Sequence, residues 1–344
     1  MGPAGVKHSR YLVPSAIWLF LLVTISSCNN ASEKEDESQQ TNTTPVVTVK
    51  APSFHADSAF SFVKQQVDFG PRVPNSVGHV NCGSWLISKM KAYADTVIEQ
   101  SFKVRAFDGK ILNSRNIIAS FHPDLGNRIL LCAHWDTRPF ADQDDDRENE
   151  AIDGANDGAS GVGVLIEVAR QLAAANPALG VDIIFFDAED YGQPDDSDLP
   201  RMEDSYCLGS QYWAKNLHVR NYQARYGILL DMVGAQNAKF TQEGTSMQYA
   251  PEIVEKVWKI AAASGFSDYF INERTKGIID DHFYINRLAG IKCVDVIHYE
   301  FGSPSNFWTH WHTHDDTIDK IDKNSLKAVG QTLLEVLFRE VPAS

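Results

Sequence analysis

The chain has 344 residues, 43% of them hydrophobic and 22% charged, enough for one large α/β domain or two small ones with a full core. Its formal net charge of −14 argues against nucleic acid as a partner, because phosphate binding needs cationic surface.

The first segment reads as targeting. Lys7 and Arg10 precede an apolar run over 16–25, about ten residues and too short for a spanning helix. The run ends in Ile25-Ser26-Ser27-Cys28, which resembles a bacterial lipobox. The expectation is a signal peptide over 1–27, lipidation at Cys28, a disordered polar tether over 28–50 and a catalytic domain over 51–344. Asn29, where inner-membrane retention usually has Asp, points to the outer membrane, facing the periplasm. Contact with membrane is expected through the lipid anchor alone. Cys82, Cys132, Cys207 and Cys293 form no Cys-x-x-Cys pair, so a thiolate zinc site is not indicated. Cys132 and Cys293 lie in apolar runs and read as packing residues.

Further along, strand-like and helix-like segments alternate. Apolar runs over 128–133, 181–186, 226–232 and 291–297 read as buried strands. Helical patterns lie over 162–175, 209–217, Pro251–Ala263, 281–288 and 325–338. The alternation predicts a single α/β domain with a mostly parallel, twisted central sheet flanked by helices. The very acidic stretch 142–150 reads as a solvated surface insertion rather than a calcium loop, because it lacks EF-hand spacing.

In such folds, sites form beyond the carboxyl ends of strands. The polar residues after the apolar runs are His134 and Asp136, then Asp187, Glu189 and Asp190, then Asp231. Two further pieces join them, Asp157-Gly158-Ala159-Ser160-Gly161 and Trp311-His312-Thr313. Imidazole and carboxylate are zinc ligands, and a catalytic zinc keeps one position open. The adjacent pair Glu189 and Asp190 suits a division of labour, one binding metal and the other acting as acid and base. Taken singly each residue has a bland alternative: a core histidine, an Asx turn at Asp157, an acid pair at a helix start, a surface His312. Their joint placement at strand exits favours the site.

These motifs, with Asp231-Met232-Val233-Gly234-Ala235, Asp280-Asp281-His282 and Phe69-Gly70-Pro71-Arg72-Val73-Pro74, resemble the zinc aminopeptidase-like superfamily. Within it the chain looks most like the glutaminyl cyclases of Bacteroidetes. The resemblance implies one zinc held by Asp157, Asp190 and His312, with Glu189 as the catalytic acid/base. It also implies Asp231 and Asp280 in a proton network, Trp311 and Phe307 as pocket walls, and peptides or proteins with N-terminal Gln as substrates. Trp311 is preferred over Trp308 because it adjoins His312. Three positions depart from the animal enzymes: Asp190 stands for a Glu, the stretch 191–195 lacks a pocket Trp, and Asp295 stands for a His. The rival is a two-zinc aminopeptidase, with His134, Asp157 and Asp231 as a second set and Asp157 bridging. A binding protein without catalysis is the third class, and the presence of Glu189 argues against it. Oligomeric state is not legible.

Overall fold

The computed structural model describes residues 50–340. The expected signal peptide, the expected lipidation at Cys28 and all of the expected tether except Lys50 lie outside the described residues. Among those described, no helix is long and apolar enough to cross a membrane.

Two helices open the domain, α1 (Ala56–Val67) and α2 (Val77–Lys91), the second capped by the Ser76 hydroxyl accepting from the His79 N–H. A hairpin follows, β1 (Thr96–Arg105) and β2 (Ile111–Phe121), then β3 (Arg128–His134), α3 (Ala159–Ala175) and β4 (Gly180–Phe186). Next come α4 (Leu208–Lys215), β5 (Gly227–Asp231), β6 (Phe240–Gln242), α5 (Gly244–Tyr249) and α6 (Pro251–Ala263). The chain closes with β7 (Phe270–Arg274), α7 (Asp281–Tyr284) running into a π-helical turn (Ile285–Ala289), β8 (Cys293–Ile297) and α8 (Lys323–Arg339).

Six strands form the main sheet in the order β1-β2-β4-β3-β5-β8. β4, β3, β5 and β8 are mutually parallel, and the β1–β2 hairpin adds two antiparallel strands at one edge. The expected mostly parallel sheet is present, and the hairpin is an addition that the apolar runs did not announce. Every residue of β3 and β4 is buried, because helices cover both faces. Leu131 and Ala133 point into the larger cluster with α1, α3, α6 and α8, while Leu130 and Cys132 point into the cluster around Trp213 of α4. Cys82, Cys132, Cys207 and Cys293 are all free and buried.

Arg128 opens β3 with a buried ion pair to Asp182 of β4, 2.6 Å, and Tyr222 donates to the same carboxylate at 2.7 Å. This pairing locks the lower ends of the two central strands. Their upper ends are thereby placed in a common plane, and the chemistry sits there.

Candidate active site

The carboxyl ends of three adjacent parallel strands carry the central residues. His134 ends β3, Asp231 ends β5, and Asp187 through Asp190 follow β4 directly. Asp157 immediately precedes Gly158, the residue before α3. Gly158 has φ 90°, and a Cβ there would lie 2.6 Å from the Asp136 carbonyl and 3.1 Å from the His134 ring. Only glycine lets this turn close on His134. Gly161, one turn on, brings α3 against β5, since a Cβ would meet the Leu230 carbonyl at 2.5 Å. Ala188 and Met232, each just past a strand end, and His312 adopt positive φ without being glycine, a strain that concentrates at functional turns.

Buried carboxylates hold this geometry. Asp136 accepts the N–H of Glu189 at 3.0 Å and of Asp190 at 3.2 Å. Asp316 accepts the N–H of Asn156 at 2.7 Å and of Asp157 at 3.0 Å, and burial pushes its carboxyl up to about 8. Asp187 turns away from the cleft; it faces His79 Nε2 at 2.9 Å and accepts the Ala188 N–H at 2.8 Å. Asp187 therefore braces the loop instead of lining the pocket.

Asp157 is the pivot. Its Oδ1 lies 3.0 Å from His134 Nε2 and its Oδ2 3.7 Å from His312 Nε2. His312 Nε2 also faces Asp190 Oδ1 at 3.1 Å, and His134 Nε2 faces Asp231 Oδ1 at 3.2 Å. Two potential metal sets result, Asp157-Asp190-His312 and His134-Asp157-Asp231, each with its ligand atoms within 4.8 Å of one another. The first set fits zinc: two carboxylates and an imidazole converge, and buried Asp190 Oδ2 has no hydrogen-bond partner. Burial raises the Asp190 carboxyl and Asp157 beside it raises it further, against the pull of His312. So dense a group of carboxylates calls for a cation to offset it.

Glu189 lies beside these sets. Burial carries its carboxyl well above the usual range; His134 opposes this, and Asp190, Asp280 and Asp281 reinforce it. Its Oε1 accepts the Cys207 thiol at 3.2 Å. Glu189, Cys207 and Asp280 converge within the same 4.8 Å limit. Burial pushes Asp231 up to about 7, with the His134 contact opposing and Asp157 adding to the rise. For His134 burial would lower the pKa, but Asp136, Asp157 and Asp231 outweigh it and carry the imidazole well above its ordinary value.

A cleft of about 360 Å³ opens over these acids. Asp157, Glu189, Asp190, Asp231, Asp280 and His312 all line it, with Trp311 and Phe307 as walls. The Trp311 ring stacks on His312 with centroids 3.7 Å apart, whereas Trp308 is buried in the core. The sequence reading overlooked several wall residues: Tyr206, Met232, Ile278, Ile279 and Ile297. Tyr206 brings an aromatic ring to the cleft from outside the stretch 191–195. Its ring lies against Gly192, where a Cβ would come within 2.1 Å of it, while Tyr191 is buried with Phe107 and Phe140. No spacing rule links position 206 to the acid pair; only the return of the chain does.

One expectation is corrected. The acidic stretch 142–150 is not wholly a solvated insertion. Asp142 is tucked against Arg138 and His312, and Asp144 pairs with His314, while 145–150 is exposed. The run of acids hides two anchors because their histidine partners are about 170 residues away in sequence.

Asp295 is buried in β8, with neither carboxylate oxygen hydrogen-bonded, 3.8 Å from His282 Nδ1. Burial and the neighbouring Asp280 and Asp231 raise its carboxyl well above the ordinary range. Asp295 thus adds one more acid beside Asp280.

Comparison with known proteins places the chain in a family and supports its fold. A zinc-dependent exopeptidase from Parabacteroides distasonis is 49% identical, with a TM-score of 0.83, over 84% of this chain and 99% of that one. A glutaminyl cyclase from Bacteroides thetaiotaomicron, solved bound to N-acetylhistamine, is 52% identical with a TM-score of 0.81 over the same shares. The glutaminyl-peptide cyclotransferase of Bos taurus is 25% identical over 76% of each chain. Aminopeptidase YwaD of Bacillus subtilis is 25% identical over 79% of this chain, which spans about half (54%) of that protein's length. The model of peptidase family M28 matches residues 116–337, and the chain belongs to that family.

Proposed function

We propose that the protein is a zinc-dependent glutaminyl-peptide cyclotransferase that converts N-terminal Gln of peptides and proteins to pyroglutamate and releases ammonia. The observation that carries this reading is the 52% identity with a glutaminyl cyclase across nearly the whole of that chain. The cleft supports it, being lined by Glu189, Asp231 and Asp280 and walled by aromatic and aliphatic side chains.

Both reacting groups belong to one residue, so proximity is already supplied. The α-amine forms a bond to the γ-carbonyl carbon, and the bond from that carbon to the amide nitrogen breaks. One zinc held by Asp157, Asp190 and His312 would supply Lewis-acid polarisation of the γ-carbonyl. Glu189 takes the proton from the amine and returns it to the departing nitrogen. Because its Oε1 accepts the Cys207 thiol, Oε2 is the atom that moves the proton. Asp231 and Asp280 lie beside Glu189 in the cleft and share protons with it, as close carboxylates must, while the neutral amine attacks. Trp311, Phe307 and Tyr206 enclose the short side chain and exclude water. His134, held between Asp157 and Asp231, takes the place of a second cation. Cys28 is proposed to carry the lipid that holds the enzyme in the outer membrane, facing the periplasm.

A second reading has two observations behind it: His134, Asp157 and Asp231 form a second ligand set, and the chain is similar to a zinc-dependent exopeptidase and to aminopeptidase YwaD. On that reading the enzyme is a two-zinc aminopeptidase. Purified protein incubated with a Gln-initiated peptide and with aminoacyl chromogenic substrates separates the two. Loss of one ammonia without shortening of the peptide, with one zinc per chain, is the expected outcome. Shortening by one residue with two zincs would overturn the cyclase. N-acetylhistamine should inhibit the cyclisation, since imidazole is itself a zinc ligand.

A further inference from the structure

Arg138 has no place in the chemistry above, yet its side chain is fully buried. Its Nε and Nη2 donate to the two oxygens of Asp142 at 2.8 and 2.6 Å. Its Nη1 donates to the carbonyls of Asp190 at 2.9 Å and Gly192 at 3.1 Å, and lies 3.7 Å from Asp190 Oδ1. Asp142 Oδ1 in turn lies 3.0 Å from His312 Nδ1, within ion-pair distance although Nδ1 makes no hydrogen bond in this geometry, while His312 Nε2 faces Asp190. The four side chains close a ring from Arg138 through Asp142, His312 and Asp190 back to Arg138.

We propose that Arg138 and Asp142 are positioning residues that set the metal-binding geometry of His312 and Asp190 together. A carboxylate at Nδ1 favours the tautomer with its proton there and leaves Nε2 free to bind metal. The same guanidinium pins the backbone of Asp190, so imidazole and carboxylate are held relative to each other. His312 needs such support. Its φ of 56° is left-handed in a non-glycine residue, and it lies outside helix and strand. The chain around Asp142 gives further support: the Gln143 N–H donates to the His312 carbonyl at 3.3 Å, and Asp144 accepts the His314 N–H at 2.9 Å. Lysine cannot replace Arg138, because one ammonium cannot span a carboxylate and two carbonyls with a planar fork.

The inference rests on His312 and Asp190 being zinc ligands, and its test keeps the two ideas apart. Zinc affinity is measured on the whole protein by competition with a chromogenic chelator, for wild type, Asp142→Asn, Arg138→Lys and His312→Gln. Thermal unfolding of the metal-free forms is recorded alongside. Asp142→Asn is expected to bind zinc about 10–100-fold more weakly, and the metal-free melting temperature reports separately what unpairing buried Arg138 costs the fold. Arg138→Lys should act in the same direction, and the double variant should lose less than the sum of the two, since both act through one ring. Asp142→Glu, which keeps the charge, should recover part of the affinity and serves also if the Asn variant does not fold. Zinc affinity within twofold of wild type in both Asp142 variants would overturn the proposal. Wild-type binding in His312→Gln would instead overturn the metal assignment, and the proposal with it.

Discussion

Glu189 carries most of the functional argument, and it does so through position rather than identity. It is one of several acids in the cleft, but Asp136 fixes its backbone and Cys207 occupies one oxygen. A carboxyl raised by burial has a proton affinity closer to neutrality, which suits a group that must both accept and return a proton. Glu189→Gln keeps the shape and removes that capacity. It is expected to lower kcat by about 10²–10⁴-fold while zinc content stays at the wild-type level. Loss of zinc in this variant would show Glu189 to be a ligand and reverse the assignment with Asp190. The motif Glu189-Asp190 was legible as a working pair; which oxygen moves the proton was not, because Cys207 reaches it from the start of α4, 18 residues later.

Among the elements, the apolar runs were the readable part. β3, β4, β5 and β8 are covered on both faces, so nearly every side chain had to be apolar. β1 is an edge strand with one buried residue, Phe102, among ten, and its mixed sequence left no such record. The stretch from Asp281 was legible as helix, though not in its type. The pattern over 281–288 continued a helix, whereas the chain shifts to a π-helical turn after Tyr284 and ends at Gly290 with φ 68°. Short α5 depends on Glu243, which accepts the N–H of Thr245 at 2.6 Å and of Ser246 at 2.7 Å. Burial opposes its ionisation, but His282 and these N–H groups hold the carboxyl down to about 2, against an ordinary 4.5. A depressed carboxyl adds stability that is complete above the ordinary value and disappears as pH falls through the folded one. Melting temperature should therefore decline between about pH 4.5 and 2, and Glu243→Gln should flatten that decline. An unchanged slope would mean that other acids govern it.

At the scale of the whole molecule, charge dominates. The chain is formally −14, and a buried concentration of that charge lies at the strand exits, where Asp157, Asp190, Asp231, Glu189 and Asp280 share one cleft. Without a cation the acids must take up protons or repel one another. Zinc should thus stabilise the fold itself. Free zinc at a hundred times its Kd should add about 2.7 kcal/mol to the unfolding free energy, seen as a rise in Tm that a chelator reverses. A Tm indifferent to both would remove the metal from the site.

The sequence by itself determined the fold class and the residues able to do chemistry. Those signals are local: a strand buried on both faces is mostly apolar, and acids and histidines at its end stand out against it. The tertiary structure alone decided how those residues divide their work. Asp157 faces both histidines, Tyr206 joins the cleft wall, and Asp142 lies beside His312 instead of out in solvent. Each of these depends on segments far apart in the chain meeting in space, and no spacing along the sequence encodes that meeting.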